Sequence, residues 1–289
     1  MMQAGAGGLP SVVLRAADGS ATATVHQHGA TLTSWAVSGA EKEEEEELLF
    51  VSPLAVFAPP KAIRGGAPVC WPQFGSLGPL KAQHGFARNM EWTIDEVAGD
   101  SCSLVLCSDA VTRAEWPHDF KLTMQVSLLP NGALKQSLRV LNTGDSPFEF
   151  TTALHTYFRV SDVSKASVVG LKGLSYFDNA AGSLATDDAD AVTFTGEVDR
   201  AYIGAPSPLK LVDSGRGAVV MVHKEGFQDA VVWNPWEAKA AGMADLGPEH
   251  WRGFVCVEAT QARSGAVTLA PGQDWEGRLR LERDTLGES

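Results

Sequence analysis

Four cations with no acid among them mark one stretch of this chain as a place for chemistry. Between Leu48 and Met90 stand Lys61, Arg64, Lys81 and Arg88, without a single Asp or Glu. The same stretch holds Pro53, Pro59, Pro60, Gly65, Gly66, Pro68, Pro72, Gly75, Gly78, Pro79 and Gly85. So many turn formers predict a long irregular connection, and such connections in compact domains are usually functional or disordered. Trp71, Phe74 and Phe86 argue for order, because large aromatic rings need something to pack on. An ordered cationic loop on an acidic chain reads as a site for a small anion. Guanidinium groups present a fixed fork to phosphate oxygens, and glycine lets the backbone come close. Sugar phosphates fit that description. The competing reading is that Arg64 and Arg88 simply pair with carboxylates elsewhere in the chain.

Such a loop has to be carried by something rigid, and the dominant period elsewhere is two. Phe120, Leu122, Met124, Val126 and Leu128 alternate with polar residues, the pattern of a strand with one buried face. Asn131-Gly132 follows, and Leu134, Leu138 and Val140 resume the alternation, which predicts a hairpin. Shorter runs repeat the theme at Ser11–Arg15, Ala21–His26, Leu48–Val51, Ser103–Cys107, Phe148–Leu154, Ala218–Val222, Ala230–Trp233, Phe254–Ala259 and Gly277–Glu282. Only Asp109–Trp116, stopped by Pro117, reads as a short helix. Many short strands with few helices predict an all-β fold, a large antiparallel sandwich. No internal repeat or compositional shift splits the chain, so residues 1–289 are expected to form one domain. Residues 41–47 hold six glutamates and one lysine, and such a block is expected to be an exposed loop between strands.

Composition excludes several classes. Thirty-five Asp and Glu against 23 Lys and Arg leave a net charge of −12 over 289 residues, the wrong sign for a nucleic-acid binder. No run approaches the length of an apolar membrane span, and Met1 to Pro10 lacks the features of a secretory signal. Cys70, Cys102, Cys107 and Cys256 show no metal-binding spacing and are expected to be reduced, mostly buried thiols. A cytoplasmic monomer without metal or organic cofactor is expected.

Six motifs in order carry a resemblance. Ile63-Arg64-Gly65-Gly66-Ala67-Pro68-Val69-Cys70-Trp71-Pro72-Gln73-Phe74-Gly75 is followed by Gln83-His84-Gly85-Phe86-Ala87-Arg88-Asn89-Met90-Glu91-Trp92. Ala153-Leu154-His155-Thr156-Tyr157-Phe158 and Glu197-Val198-Asp199-Arg200-Ala201-Tyr202 come next. Val231-Val232-Trp233-Asn234-Pro235-Trp236 and Phe254-Val255-Cys256-Val257-Glu258-Ala259 complete the set. Together they closely resemble the hexose-6-phosphate mutarotases, the glucose-6-phosphate 1-epimerases of the aldose 1-epimerase superfamily, from about Val12 to Leu281. The resemblance implies a galactose-mutarotase-like sandwich with a cleft on a concave sheet face, and exchange of the anomers of a hexose 6-phosphate.

Opening a cyclic hemiacetal takes a proton from the anomeric hydroxyl and gives one to the ring oxygen, and closure reverses both transfers. The resemblance implies Glu258 as the base at the hydroxyl and His155 as the acid at the ring oxygen. Glu258 shares a strand face with Phe254 and Cys256, company that would raise its pKa. The alternative is an edge glutamate facing water. Arg64, Gln83 and Arg88 sit at positions the family associates with the sugar phosphate, with the arginines on phosphate oxygens. His84 is expected to hydrogen-bond sugar hydroxyls, and Asp199 to accept hydrogen bonds from them; the plain alternatives are a turn histidine and a turn-capping aspartate. Of eight tryptophans most are expected in the core, and Trp71, beside the cationic loop, is the candidate for stacking on the sugar.

Overall fold

The structure, a computed structural model, describes residues 1–38 and 45–286. Among them a nine-stranded sheet and an eight-stranded sheet dominate, flanked by a five-stranded and a two-stranded sheet, and every ladder is antiparallel. The alternating run Phe120–Leu128 lies inside the nine-stranded sheet. Its five apolar residues are buried, and Leu128 pairs with Leu134 across the expected hairpin. Asn131 takes the left-handed φ of 64° that such a turn needs. The buried apolar side chains form a continuous core, in which Trp71 lies 4.4 Å from Phe120 and Trp275 lies 5.2 Å from Phe227, centroid to centroid. The β-sandwich expected from the alternation is the fold observed.

Most short runs are strands close to their expected bounds. Leu48–Val51 is not one: Leu49 and Val51 make single bridges to Phe158 and Gly65 instead of joining a ladder. Phe148–Leu154 is two strands, Phe148–Phe150 and Thr152–Leu154, paired to different partners. The expected short helix runs Ala110–Glu115. Asp109 caps it, accepting from the Thr112 amide at 2.8 Å, while the Thr112 hydroxyl accepts from the Asp109 amide. A second short helix, Trp236–Ala241, was not foreseen. Three of the four free thiols are buried and Cys107 is exposed.

The acidic run also departs from its expectation as far as it is described. Residues 41–44 lie outside the described residues. Glu45–Glu47 form a short strand on Leu32–Ser38 rather than a loop. Glu47 accepts from the Trp35 and Leu49 amides at 2.9 Å, and Glu46 pairs with Arg283 at 3.0 Å and Arg216 at 3.4 Å. Like charge is tolerated there because each of these carboxylates meets its own donors.

Candidate active site

One face of the eight-stranded sheet carries the reactive side chains, and its register explains why they meet. Thr152–Leu154 pairs with Phe254–Gln261 so that Leu154 faces Ala259, and further along the same strand Tyr157 faces Cys256. His155 and Thr156 lie in the interval between these two pairings, and continuing the register sets His155 opposite Glu258. On the other side Glu258 pairs with Val231, and Trp233 pairs with Cys256 and with Asp199. Two rows therefore cross the sheet, one of Ala201, Val231, Glu258 and His155, the other of Asp199, Trp233, Cys256 and Tyr157. Residues two apart on a strand share a face, so both rows look into one cleft.

That cleft has a volume of about 610 Å³. Its roof is the irregular cationic stretch, which is ordered, as its aromatics required. Buried Gln73 is the main anchor: its amide nitrogen donates to the carbonyls of Gly75, Leu80 and Ala82, and its oxygen accepts from the Leu80 amide at 2.8 Å. Thr151, in the break between two strands, accepts from the Phe74 amide and donates to the Leu77 carbonyl. The Trp71 carbonyl accepts from the amides of Phe86 and Ala87, which bring the chain back alongside. Gly85 makes this approach possible: its φ is 66°, and a Cβ there would lie 2.2 Å from the Trp71 oxygen.

Seven of the eight residues singled out from the sequence line the cleft: Arg64, Gln83, His84, Arg88, His155, Asp199 and Glu258. Trp71 does not. It is fully buried between the sheets against Phe120, Trp116 and Phe86, and Trp233 stands in the cleft instead. Trp71 follows the edge strand Val69–Cys70, and its ring points into the sandwich while its backbone holds the loop. Asn179, Lys239 and Arg263 were also missed, each lying in a stretch without a distinctive local pattern.

His155 Nδ1 and Glu258 Oε1 are 3.3 Å apart, both side chains nearly fully buried. The two atoms are not aligned for a hydrogen bond, and Nδ1 and Glu258 Oε2 have no other partner in the protein. His155 stacks on Tyr157 with centroids 4.9 Å apart and meets Trp233 edge-on. Burial, reinforced by His84, Arg88 and Arg64, holds the His155 imidazole well below its ordinary value of 6.5. Burial, with Asp199 beside it, pushes the Glu258 carboxyl well above 4.5, against an opposing pull from Arg88. Both shifts favour the neutral forms, an uncharged imidazole beside a carboxyl that gives up its proton reluctantly.

His84 sits at φ 67°, a left-handed conformation that costs a non-glycine residue about 1 kcal/mol or more. Its Nδ1 accepts from the Gly75 amide at 3.1 Å, while its own amide donates to the Gly75 carbonyl. Burial lowers its pKa to about 3. With Nδ1 an acceptor and the ring neutral, the proton is on Nε2, which makes His84 a fixed neutral donor.

Arg64 is more engaged than its sequence context implied. Nε and Nη2 donate to the two oxygens of Asp245, and Nη1 donates to the Tyr157 hydroxyl at 3.2 Å. The carboxylate partner left open by the sequence exists for Arg64, and Lys61 joins it at 3.5 Å. Arg88 has no carboxylate partner among the described residues; Nη2 donates to the Gln83 carbonyl, and Nε is buried without a partner. His155, Cys256 and Glu258 bring ligand atoms within 4.8 Å of one another, a set that invites the question of a metal. Metal binding needs the thiolate, and burial beside Glu258 pushes the Cys256 thiol well above its ordinary value. The set fits proton exchange better than coordination.

Residues 11–282 match the family described as Aldose 1-epimerase. The chain belongs to the aldose 1-epimerase family. Over 286 residues it is 42% identical to a protein of Cenchrus ciliaris named "Putative glucose-6-phosphate 1-epimerase", spanning 95% of this chain and 84% of that protein. A protein of the same name from Escherichia coli (strain K12) is 34% identical over 242 residues, spanning 81% of this chain and 78% of the other. Among solved structures, a "putative mutarotase" from Salmonella typhimurium superposes with a TM-score of 0.84 at 28% identity, covering 96% of this chain and 91% of that one. The family places the chain among the isomerases. Among the described residues no helix is long and apolar enough to cross a membrane.

Proposed function

We propose that this protein interconverts the α and β anomers of glucose 6-phosphate and related hexose 6-phosphates. One observation carries the reading: the His155–Glu258 pair, 3.3 Å apart, faces a cleft lined by cations. The ring oxygen and the anomeric hydroxyl of a hemiacetal share one carbon, so the groups serving them must themselves be neighbours. With His155 protonated and Glu258 ionised, Glu258 takes the hydroxyl proton as His155 protonates the ring oxygen and the C1–O bond of the ring breaks. The aldehyde turns about C1–C2, and the two transfers reverse on closure. Burial disfavours that charged form, and the transfers at closure return each proton to its donor, so the pair ends the turnover as it began.

The other residues have roles consistent with that step. His84 donates through Nε2 to a sugar oxygen, and Asp199 accepts from sugar hydroxyls. Gln83 lies exposed at the rim, and Arg88 supplies positive charge near the reacting oxygens. Trp233 gives an apolar wall for the C–H face of the ring. Arg64, braced by Asp245, holds Tyr157, on which His155 is stacked. The names of the relatives at 42% and 34% identity support the phosphorylated substrate, and the continuous core supports a single domain.

Two-dimensional NMR exchange between the anomers of glucose 6-phosphate tests the proposal. The wild-type protein is expected to raise the exchange rate above the spontaneous one, more for glucose 6-phosphate than for glucose. His155→Ala is expected to lose about a hundredfold or more of that increment while keeping its fold. Faster exchange of glucose than of its phosphate would move the protein to unphosphorylated sugars.

A further inference from the structure

Four cations line the cleft, and their partners divide them. Arg64 is bound to Asp245, and Lys239 to Glu197 at 2.7 Å and Asp199 at 3.5 Å. Arg88 and Arg263 are left without an ion pair among the described residues. These two lie in different surroundings. Arg88 bears on the charge states of both His155 and Glu258, whereas Arg263 lies over Phe177, which pairs with Ala201 at the far end of the row that runs through Val231 to Glu258. One unpaired cation therefore serves the reacting pair, and the other stands apart from it. A hexose 6-phosphate has the same division, with neutral chemistry at C1 and its charge on the carbon outside the ring.

Arg263 is also built in, although its sequence context is unremarkable. It lies just beyond the strand Phe254–Gln261 that bears Glu258. On either side of it, the amides of Ala262 and Ser264 donate to Oδ2 of Asp229 at 3.1 and 2.8 Å, and that carboxylate is fully buried. The guanidinium lies over the Phe177 ring, Cζ 3.9 Å from its centroid. Nη2 donates to Asn179 Oδ1 at 3.1 Å. The Asn179 amide is oriented in turn by its Nδ2, which donates to Asp199 at 2.7 Å. The negative charge of Asp199 is offset by Lys239 and this amide. A single hydrogen bond leaves Nε and Nη1 free, so Arg263 keeps most of its donors in a fixed plane, the geometry suited to phosphate oxygens.

We propose that Arg263, clamped by Asp229 and oriented by Phe177 and Asn179, is the phosphoryl-binding residue that makes the cleft prefer sugar phosphates to free sugars. The inference rests on the sugar-phosphate reading above and names the residue that enforces it. Arg263→Gln in the full-length protein is expected to raise KM for glucose 6-phosphate about tenfold, with kcat changed less than threefold. The ratio of kcat/KM for glucose 6-phosphate to that for glucose should fall by a similar factor. Arg263→Lys, which keeps the charge without the fork, should lie between. An unchanged KM, or an equal loss on both sugars, overturns the assignment. A second measurement separates this from failure of the functional reading: titration calorimetry with inorganic phosphate. Weaker phosphate binding by Arg263→Gln than by wild type supports the subsite even if neither protein exchanges anomers. Equal binding, or none in wild type, removes the subsite.

Discussion

The two large sheets are made differently, and the contrast separates what holds this protein together from what it does. In the nine-stranded sheet, Phe120–Leu128 alternates buried apolar with outward polar residues, and acidic and basic side chains on exposed faces meet in pairs such as Arg139–Asp274. In the eight-stranded sheet, Phe254–Gln261 is buried at every position, with a carboxylate in the middle and an imidazole across from it. Three of the buried polar atoms without a protein partner, Arg88 Nε, His155 Nδ1 and Glu258 Oε2, belong to the cleft on that sheet. The separation is not absolute, since the Gln136 amide is unpartnered in the nine-stranded sheet. Groups left unpaired in a cleft cost stability and remain available to a substrate.

The sharpest test of that contrast is a substitution that should help the fold and remove the chemistry. Glu258→Gln is expected to lose about a hundredfold or more of catalysed anomer exchange. Its effect on stability should have the opposite sign. The folded carboxyl has a pKa well above 4.5, whereas the unfolded one ionises near the ordinary value. As pH rises past 4.5 the unfolded chain sheds a proton that the folded chain keeps, so stability falls by about 1.4 kcal/mol per pH unit until the folded pKa is reached. Glutamine does not ionise, so the variant should melt a few degrees higher at pH 7, on the order of 2–4 °C per kcal/mol. A lower melting temperature would mean that the carboxylate stabilises the fold.

The converse substitution belongs to the other sheet. Leu122→Ala removes a fully buried side chain from the nine-stranded sheet and should cost about 2–5 kcal/mol in denaturant unfolding. Below its melting transition, kcat should stay within about twofold of wild type. A large kcat loss would show that the two sheets are mechanically coupled.

The smallest effect expected is on the acid side of the pH profile. An imidazole of ordinary pKa would take up a second proton below pH 6.5 and cut the rate about tenfold by pH 5.5. Because burial holds the folded His155 imidazole well below 6.5, kcat at saturating sugar phosphate should show no loss centred on 6.5 as pH falls from 7 to 5.5. A loss centred on 6.5 would mean that the histidine titrates as if exposed.

How much was legible beforehand follows from which interactions are local. Alternation in Phe120–Leu128 and the Asn131-Gly132 turn reflect neighbouring residues, and both are where the pattern put them. Leu48–Val51 has strand-like residues, but its bridges go to Phe158 and Gly65, partners no local pattern announces. Trp71, beside the cationic loop, was the ring expected to face a sugar, and Trp233 is the one in the cleft. One lies between the sheets and the other in the cleft, a difference set by register and by the course of the chain after Val69–Cys70. Arg64 and Arg88 looked alike until Asp245 paired with one of them.

Residue types, their periodicity and six ordered motifs were enough by themselves to set the β-sandwich, the family and most of the side chains around the cleft. Tertiary structure alone decided which tryptophan lines the cleft, which arginine keeps its donors free, and that the imidazole and the carboxylate lie side by side in a buried setting. Those outcomes depend on which distant strand lies alongside, because a cross-strand neighbour, its burial and its charge are properties of the pairing and not of either segment.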